Sequence, residues 1–226
     1  LGLVGSEMCI ETVAAGRDVV VADVHPDSAR EGERRRRIAA QLAYWTDRLS
    51  DSPDLIAIPT DRIRPSRIGH VRASHDITLG SETWAAVERL AADRGTTPFV
   101  VFESVLAVLL SRLASTDDVS IAVPADSGET VVLRTNPDGR QSFGDFVAAS
   151  EADFGAALAH GDVSFETVVD ALGLTRSGSH SPLAQVALRF GSAALPHDGT
   201  GLDLVVTVDQ SDSVGVELDY ATALFL

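Results

Sequence analysis

Side chains able to move protons are few in this chain, and they are scattered. Its six histidines are His25, His70, His75, His160, His180 and His197. In His160-Gly161-Asp162 an imidazole stands two residues from a carboxylate, an order that would suit a catalytic dyad. At a helix entrance the same pair caps and hydrogen-bonds the backbone, and that structural reading outweighs the dyad. His70 and His75 are five residues apart, so on a strand they face opposite ways and would not share a metal. His197-Asp198-Gly199 lies in a loop-like stretch. Glu103 sits inside the apolar run PFVVFESVLAVLL, where its charge must meet water or a partner. Cys9 stands near a predicted helix start, which would lower a thiol's pKa, but an inert buried cysteine is the plainer reading. Arg34 to Arg37 are consecutive and would point all round a helix. With Glu31 and Glu33 beside them they read as a solvated helix start rather than an anion site. The sequence has no G-x-S-x-G elbow, P-loop or zinc-ligand spacing.

The elements that would position these residues follow from periodicity. Residues 28–50 read as a helix with Ile38, Leu42, Trp45 and Leu49 on one face. A connector rich in Pro and Asp leads to HVRASHDI, an alternating strand. Ser81 is expected to cap a helix that turns Trp84, Val87, Leu90 and Ala91 inward and closes at Gly95. Thr97 caps the next helix, with Pro98 at its first position. That helix is apolar nearly all round and should be central and buried. The stretch STDDVSIAVP reads as a turn and a buried strand, and Asp126-Ser127-Gly128 as a tight turn to VVLRT. A further helix places Phe143, Phe146, Val147, Phe154 and Leu158 on one side. Asp162 or Ser164 then caps a short helix, and AQVALRF, LDLVVTVDQ and VGVELDYAT read as three strands, the last two joined as a hairpin.

Composition narrows the partners. The 226 residues carry a net charge of −15, and all 18 basic residues are arginine. Such a balance disfavours nucleic acid or an anionic membrane as the main partner. It would also repel an acidic carrier protein unless arginines cluster locally. A single cysteine excludes an internal disulfide framework and suits the cytoplasm. No stretch is long and apolar enough to span a bilayer, and no signal peptide is visible.

The stretch HGDVSFETVVDALGLTRSGSHSPLAQVALRF resembles the HQDxPFExLVExL…SRSPLFQVMF segment of condensation domains from nonribosomal peptide synthetases. His160, Asp162, Phe165 and Glu166 match its first part, with Gly161 for Gln and Ser164 for Pro. Ser181, Pro182 and Leu183 match its second. AYWTDRL resembles the xYWxxRL that opens the second half of these domains. PTDRIRP, containing Asp61 and Arg62, resembles PTDRPRP, and Asp61 between arginines is expected to pin the connector. Residues 131–135, including Arg134, match the end of a longer motif whose crossing segment is replaced here by the tight turn. The resemblance implies a mixed α/β sheet flanked by helices, the C-terminal lobe of a chloramphenicol-acetyltransferase-like fold. It implies amide-bond formation between carrier-bound acyl or aminoacyl groups. It further implies a phosphopantetheine arm on a partner carrier protein and a separate N-terminal lobe bearing HHxxxDG. No residue here matches that motif, so no catalytic residue is assigned, and the motif residues are expected to be structural. The chain has no initiating Met and stops at YATALFL, which reads as a fragment inactive by itself. An interaction module that binds a carrier or a neighbouring domain without chemistry is the alternative.

Residues 1–27 resemble the Rossmann start of 3-hydroxyacyl-CoA dehydrogenases, with Gly5 as first glycine and Asp23 as the ribose acid. Glu7 and Ile10 occupy the next two glycine positions, and Gly5 to Asp23 spans 18 positions (23 − 5), short of the usual ~20. A carboxylate at position 7 would repel a pyrophosphate. NAD binding is therefore the weakest of three readings, and calorimetry without detectable NAD binding would remove it. The expected division is residues 1–35 as an N-terminal extension and residues 36–226 as the condensation-type lobe.

Overall fold

The computed structural model describes residues 26–125, 127–191, 201–210 and 214–226, with side chains from residue 30 onwards. The chain divides into two compact units, residues 1–35 and 36–226. Gly5, Asp23, Cys9, His25 and the Rossmann-like stretch lie outside the described residues, as do Asp126 and His197. Within residues 30–35, the exposed Arg35 pairs with Glu31 one helical turn away.

Eleven elements are described. They are α1 (Pro26–Leu49), β1 (Arg72–Thr78), α2 (Ser81–Arg94), α3 (Pro98–Ala114), β2 (Val119–Pro124) and β3 (Thr130–Thr135). Then come α4 (Phe143–Ala159), α5 (Phe165–Ala171), β4 (Val186–Phe190), β5 (Leu204–Asp209) and β6 (Gly215–Ala221). The strands form one mixed sheet in the order β1-β6-β5-β4-β2-β3. β4 runs parallel to both β2 and β5, whereas the β2–β3, β5–β6 and β1–β6 pairs are antiparallel. β4 and β5 lie side by side in parallel register, with Val186 opposite Leu204 and Phe190 opposite Val208.

The core forms where the inner strands meet the helices. Ile121, Val123, Val186, Leu188 and Val208 are fully buried, as expected of strands covered on both faces. β1 differs: from Ser74 to Thr78 it is exposed. The predicted face of α1 is realised, with Trp45 and Leu49 in the core and Ile38 and Leu42 packed against it.

Caps show which start signals the chain uses. Thr97 accepts from Val100 N and Ser142 from Asp145 N, each worth about 1 kcal/mol. Gly95 closes α2 at φ 67. Ser81 does not cap α2: Gly80 holds the cap position, without a side-chain hydrogen bond, and Ser81 is the first helical residue. Phe143 is exposed, because it occupies the first turn of α4 beyond the reach of the core. α3 is not buried all round either; Val105, Leu109 and Leu113 are about half exposed. No single helix among the described residues is long and apolar enough to cross a membrane.

Candidate functional site

Tyr44 on α1 lies flat on the His160 ring, with centroids 3.9 Å apart and planes 9° from parallel. His160 Nδ1 is 2.8 Å from the Ala156 carbonyl. A carbonyl only accepts, so Nδ1 carries the proton. Trp45 Nε1 donates to the His160 carbonyl at 2.9 Å. Asp162 turns to other partners. It accepts from Gln41 Nε2 at 2.9 Å and from Arg37. The Gln41 hydrogen bond, then that of Arg37, holds its carboxyl below the ordinary carboxylate range. His160 and Asp162 therefore form no dyad, and Asp162 does not cap α5. Ser164 does, accepting from Thr167 N. Phe165 and Val169 fill the core from that short helix, and Glu166 is half-buried beside them.

Arg134 on β3 clasps Asp118 in a fork, Nε to Oδ1 at 2.8 Å and Nη2 to Oδ2 at 2.6 Å. It also donates to the carbonyls of Arg48 and Asp51, while Arg48 donates to the Arg134 carbonyl and to Asp153. The two arginines thus tie the end of α1 to the outer strand. Charge-assisted forks of this kind fix geometry as well as add energy.

The connector motif is held differently from the expectation. Asp61 does not pair with its flanking arginines; its carboxylate accepts from Leu226 N at 3.0 Å. Arg62 donates to the Thr222 carbonyl. Arg64 is the residue that forms a buried fork, onto Asp203, with Nη1 to Oδ1 at 2.8 Å and Asp203 fully enclosed. In the Ser181-Pro182-Leu183 motif, Ser181 N donates to the Gly201 carbonyl at 2.7 Å. Leu183 is buried with φ 65, a left-handed conformation that L residues rarely adopt. Gln185 is the buried hub of this corner. It accepts from Ile56 N and donates to the carbonyls of Asp54 and Ser181. Arg64, Asp203 and Gln185 carry no local spacing signal, since the partners that join them to the connector lie more than 100 residues away.

Two further features flank α3. On one side an apolar groove of about 590 Å³ runs between α3 and strands β1, β5 and β6, with Val105, Leu109, Leu113, Ile77 and Val216 among its walls. On the other, Glu103 is 1% exposed, and its Oε1 lacks a hydrogen-bond partner. It is neither in water nor paired with a cation. Burial pushes its carboxyl up to about 7, eased in part by the Ser150 and Ser104 hydroxyls and raised further by Asp153. Ser150 also borders a polar cavity of about 310 Å³ shared with Arg48, Arg134 and Asp153. No cluster of three or more His, Cys, Asp or Glu placed to hold a metal occurs among the described residues.

The family model of the condensation domain matches residues 26–127. Malpinin synthetase of Mortierella alpina is 32% identical over 206 residues, 84% of this chain and 3% of that protein. The chain belongs to the condensation-domain family. A crystal structure of a holo four-domain nonribosomal peptide synthetase, AB3403, bound to AMP and glycine, superposes with a TM-score of 0.76 at 22% identity. It covers 82% of this chain and 18% of that one. The X-domain from teicoplanin biosynthesis superposes with a TM-score of 0.75 at 24% identity, over 88% of this chain and 53% of that one. The mixed sheet flanked by helices is thus the condensation-domain, chloramphenicol-acetyltransferase-like architecture. The chain spans about 3% of the length of the curated synthetases it matches first.

Proposed function

We propose that this condensation-domain chain is a C-terminal lobe that works in the cytoplasm against a separate N-terminal lobe. Together they would join carrier-bound acyl and aminoacyl groups through an amide bond. In that reaction an amine attacks a thioester carbonyl, and the phosphopantetheine thiol on the carrier protein leaves. The amine's proton needs an acceptor placed at the attacking nitrogen. The observation that carries this reading is the engagement of the motif residues. His160 is stacked and hydrogen-bonded to backbone, Asp162 is held by Gln41 and Arg37, and Arg134 is spent on Asp118. These side chains, with Asp61, Arg62 and the Ser181-Pro182-Leu183 corner, serve as the frame of the lobe. The proton acceptor then comes from the partner lobe. Supplying an N-terminal lobe bearing HHxxxDG in trans, with loaded carrier proteins, should give an amide product by mass spectrometry. No amide product under conditions where both lobes associate would count against the reading.

The second reading is a non-catalytic module that binds a carrier protein or neighbouring domain. The tight turn between β2 and β3 favours it, with Gly128 N donating to Ala125 O at 3.0 Å where the resembling family runs a crossing segment. Saturable binding of carrier protein by this chain alone, without turnover after the N-terminal lobe is added, would favour it over the first.

A further inference from the structure

A second group of polar side chains converges away from the motif residues used above. Asp54, on the connector after α1, has its Oδ2 3.0 Å from His180 Nε2. A carboxylate oxygen only accepts, so Nε2 carries a proton, and in the neutral form of the ring Nδ1 offers a lone pair. Ser179 Oγ stands 2.8 Å from that Nδ1, within reach to donate its hydroxyl to the neutral ring. Ser177 Oγ is 2.8 Å from Ser179 Oγ and accepts from Ser179 N. The hydrogen bonds therefore run in one direction, hydroxyl to imidazole to carboxylate.

The relay is anchored at its imidazole, while the Asp54 side chain is largely exposed. His180 is 8% exposed, which fixes the ring. The buried Gln185 amide donates to the carbonyls of both Asp54 and Ser181, so one side chain holds the two segments that carry the relay. Arg64 donates to the Ser179 carbonyl at 3.0 Å. Ser177, Gly178, His180 and Ser181, on either side of Ser179, line a cavity of about 320 Å³. Arg67 and the apolar Ile68 and Phe165 share its wall.

We propose that Ser179, His180 and Asp54 form a reactive centre that takes acyl groups from small activated esters or thioesters. Ser179 Oγ attacks the carbonyl carbon, and its proton passes to His180 Nδ1 as the new C–O bond forms. The imidazolium is held by the Asp54 carboxylate, which acts as a positioning residue. The bond to the leaving oxygen or sulfur breaks, and the departing alcohol or thiol takes the proton from Nδ1. Water then attacks the acyl-serine, gives its proton to His180, and releases a carboxylic acid as Ser179 recovers its hydrogen. A nucleophile bonded to a base that a third group orients is recognised by those roles rather than by chain order.

The test uses the whole chain with p-nitrophenyl acetate and a fluorophosphonate probe, read by nitrophenol burst and by peptide mass mapping. One adduct at Ser179 is expected, absent in Ser179→Ala. His180→Gln should slow labelling by about a hundredfold or more. Asp54→Asn should slow it by about tenfold while Asp54→Glu restores it, a rescue that a merely structural contact would not give. Ser177→Ala should still label. Circular dichroism of each variant checks that the fold is kept. Labelling that persists in Ser179→Ala, maps to another residue, or proceeds at the parent rate in folded His180→Gln would overturn the proposal.

Discussion

α3 carries two faces that invert the usual rule of inside and outside in opposite senses. Towards α4 it buries a carboxyl, Glu103, next to the hydroxyls of Ser104 and Ser150. Over the groove it leaves Val105, Leu109 and Leu113 about half exposed. The inner face is tolerated because a carboxyl can take up a proton and become a neutral polar group, whose burial costs far less than that of an ion. The outer face needs no such adjustment, since exposed aliphatic carbon costs a folded chain little relative to its unfolded state. One helix thus shows that charge inside is a question of protonation, whereas carbon outside is a question of area.

The steepest way to probe the contrast is Leu110→Ala. Leu110 is 2% exposed and adjoins Leu109 in sequence. Its truncation should destabilise the fold by about 2–5 kcal/mol in chemical denaturation. A loss below ~1 kcal/mol would mean that the inner side of α3 is loosely packed.

Glu103→Gln comes next, with the opposite sign. The folded-state pKa of about 7 lies above the ordinary 4.5. The native chain holds its proton where the unfolded chain has released it. Stability is whole below the ordinary value, falls as pH rises through the window between the two, and levels off above about 7. Glu103→Gln should therefore be more stable than the parent at alkaline pH, by up to about 3 kcal/mol, with the gap closing under acid conditions. Denaturation midpoints across that window check this, and parallel curves for the two proteins would sink it.

Leu109→Gln should change stability least, within about 0.5 kcal/mol, because the side chain already meets solvent. A larger loss would show that the groove is closed in solution.

Much of this helix was readable from sequence. The Thr97 cap, the Pro98 start and the cost of Glu103 follow from residue type and position. The exposed stripe was not, because an apolar run reports that a helix is hydrophobic and not what lies over each face. The same limit applies to the motif residues. Arg134 stood out, but its partner Asp118 depends on how β2 and β3 pair. Asp162 looked like a cap because it precedes a helix, yet Ser164 is nearer its first turn and Arg37 and Gln41 reach Asp162 from over 120 residues away. Asp61 looked bound to neighbouring arginines, while the backbone amide of Leu226 takes it instead. Among the described residues the number of strands followed from alternation, but their order did not, since β4 inserts between β2 and β5 only through packing.

The turn at Gly128, φ 83, has a consequence for the order of assembly. It brings β2 and β3 together with almost no loop to close, so this hairpin is favoured to form early, on a timescale of about microseconds. The pairing of Arg72 with Ala221 spans nearly the whole lobe and must wait for the strands between them. Folding is therefore expected to nucleate around residues 98–135 and to add the remaining strands late, which φ-values high in β2–β3 and low in β1–β6 would show.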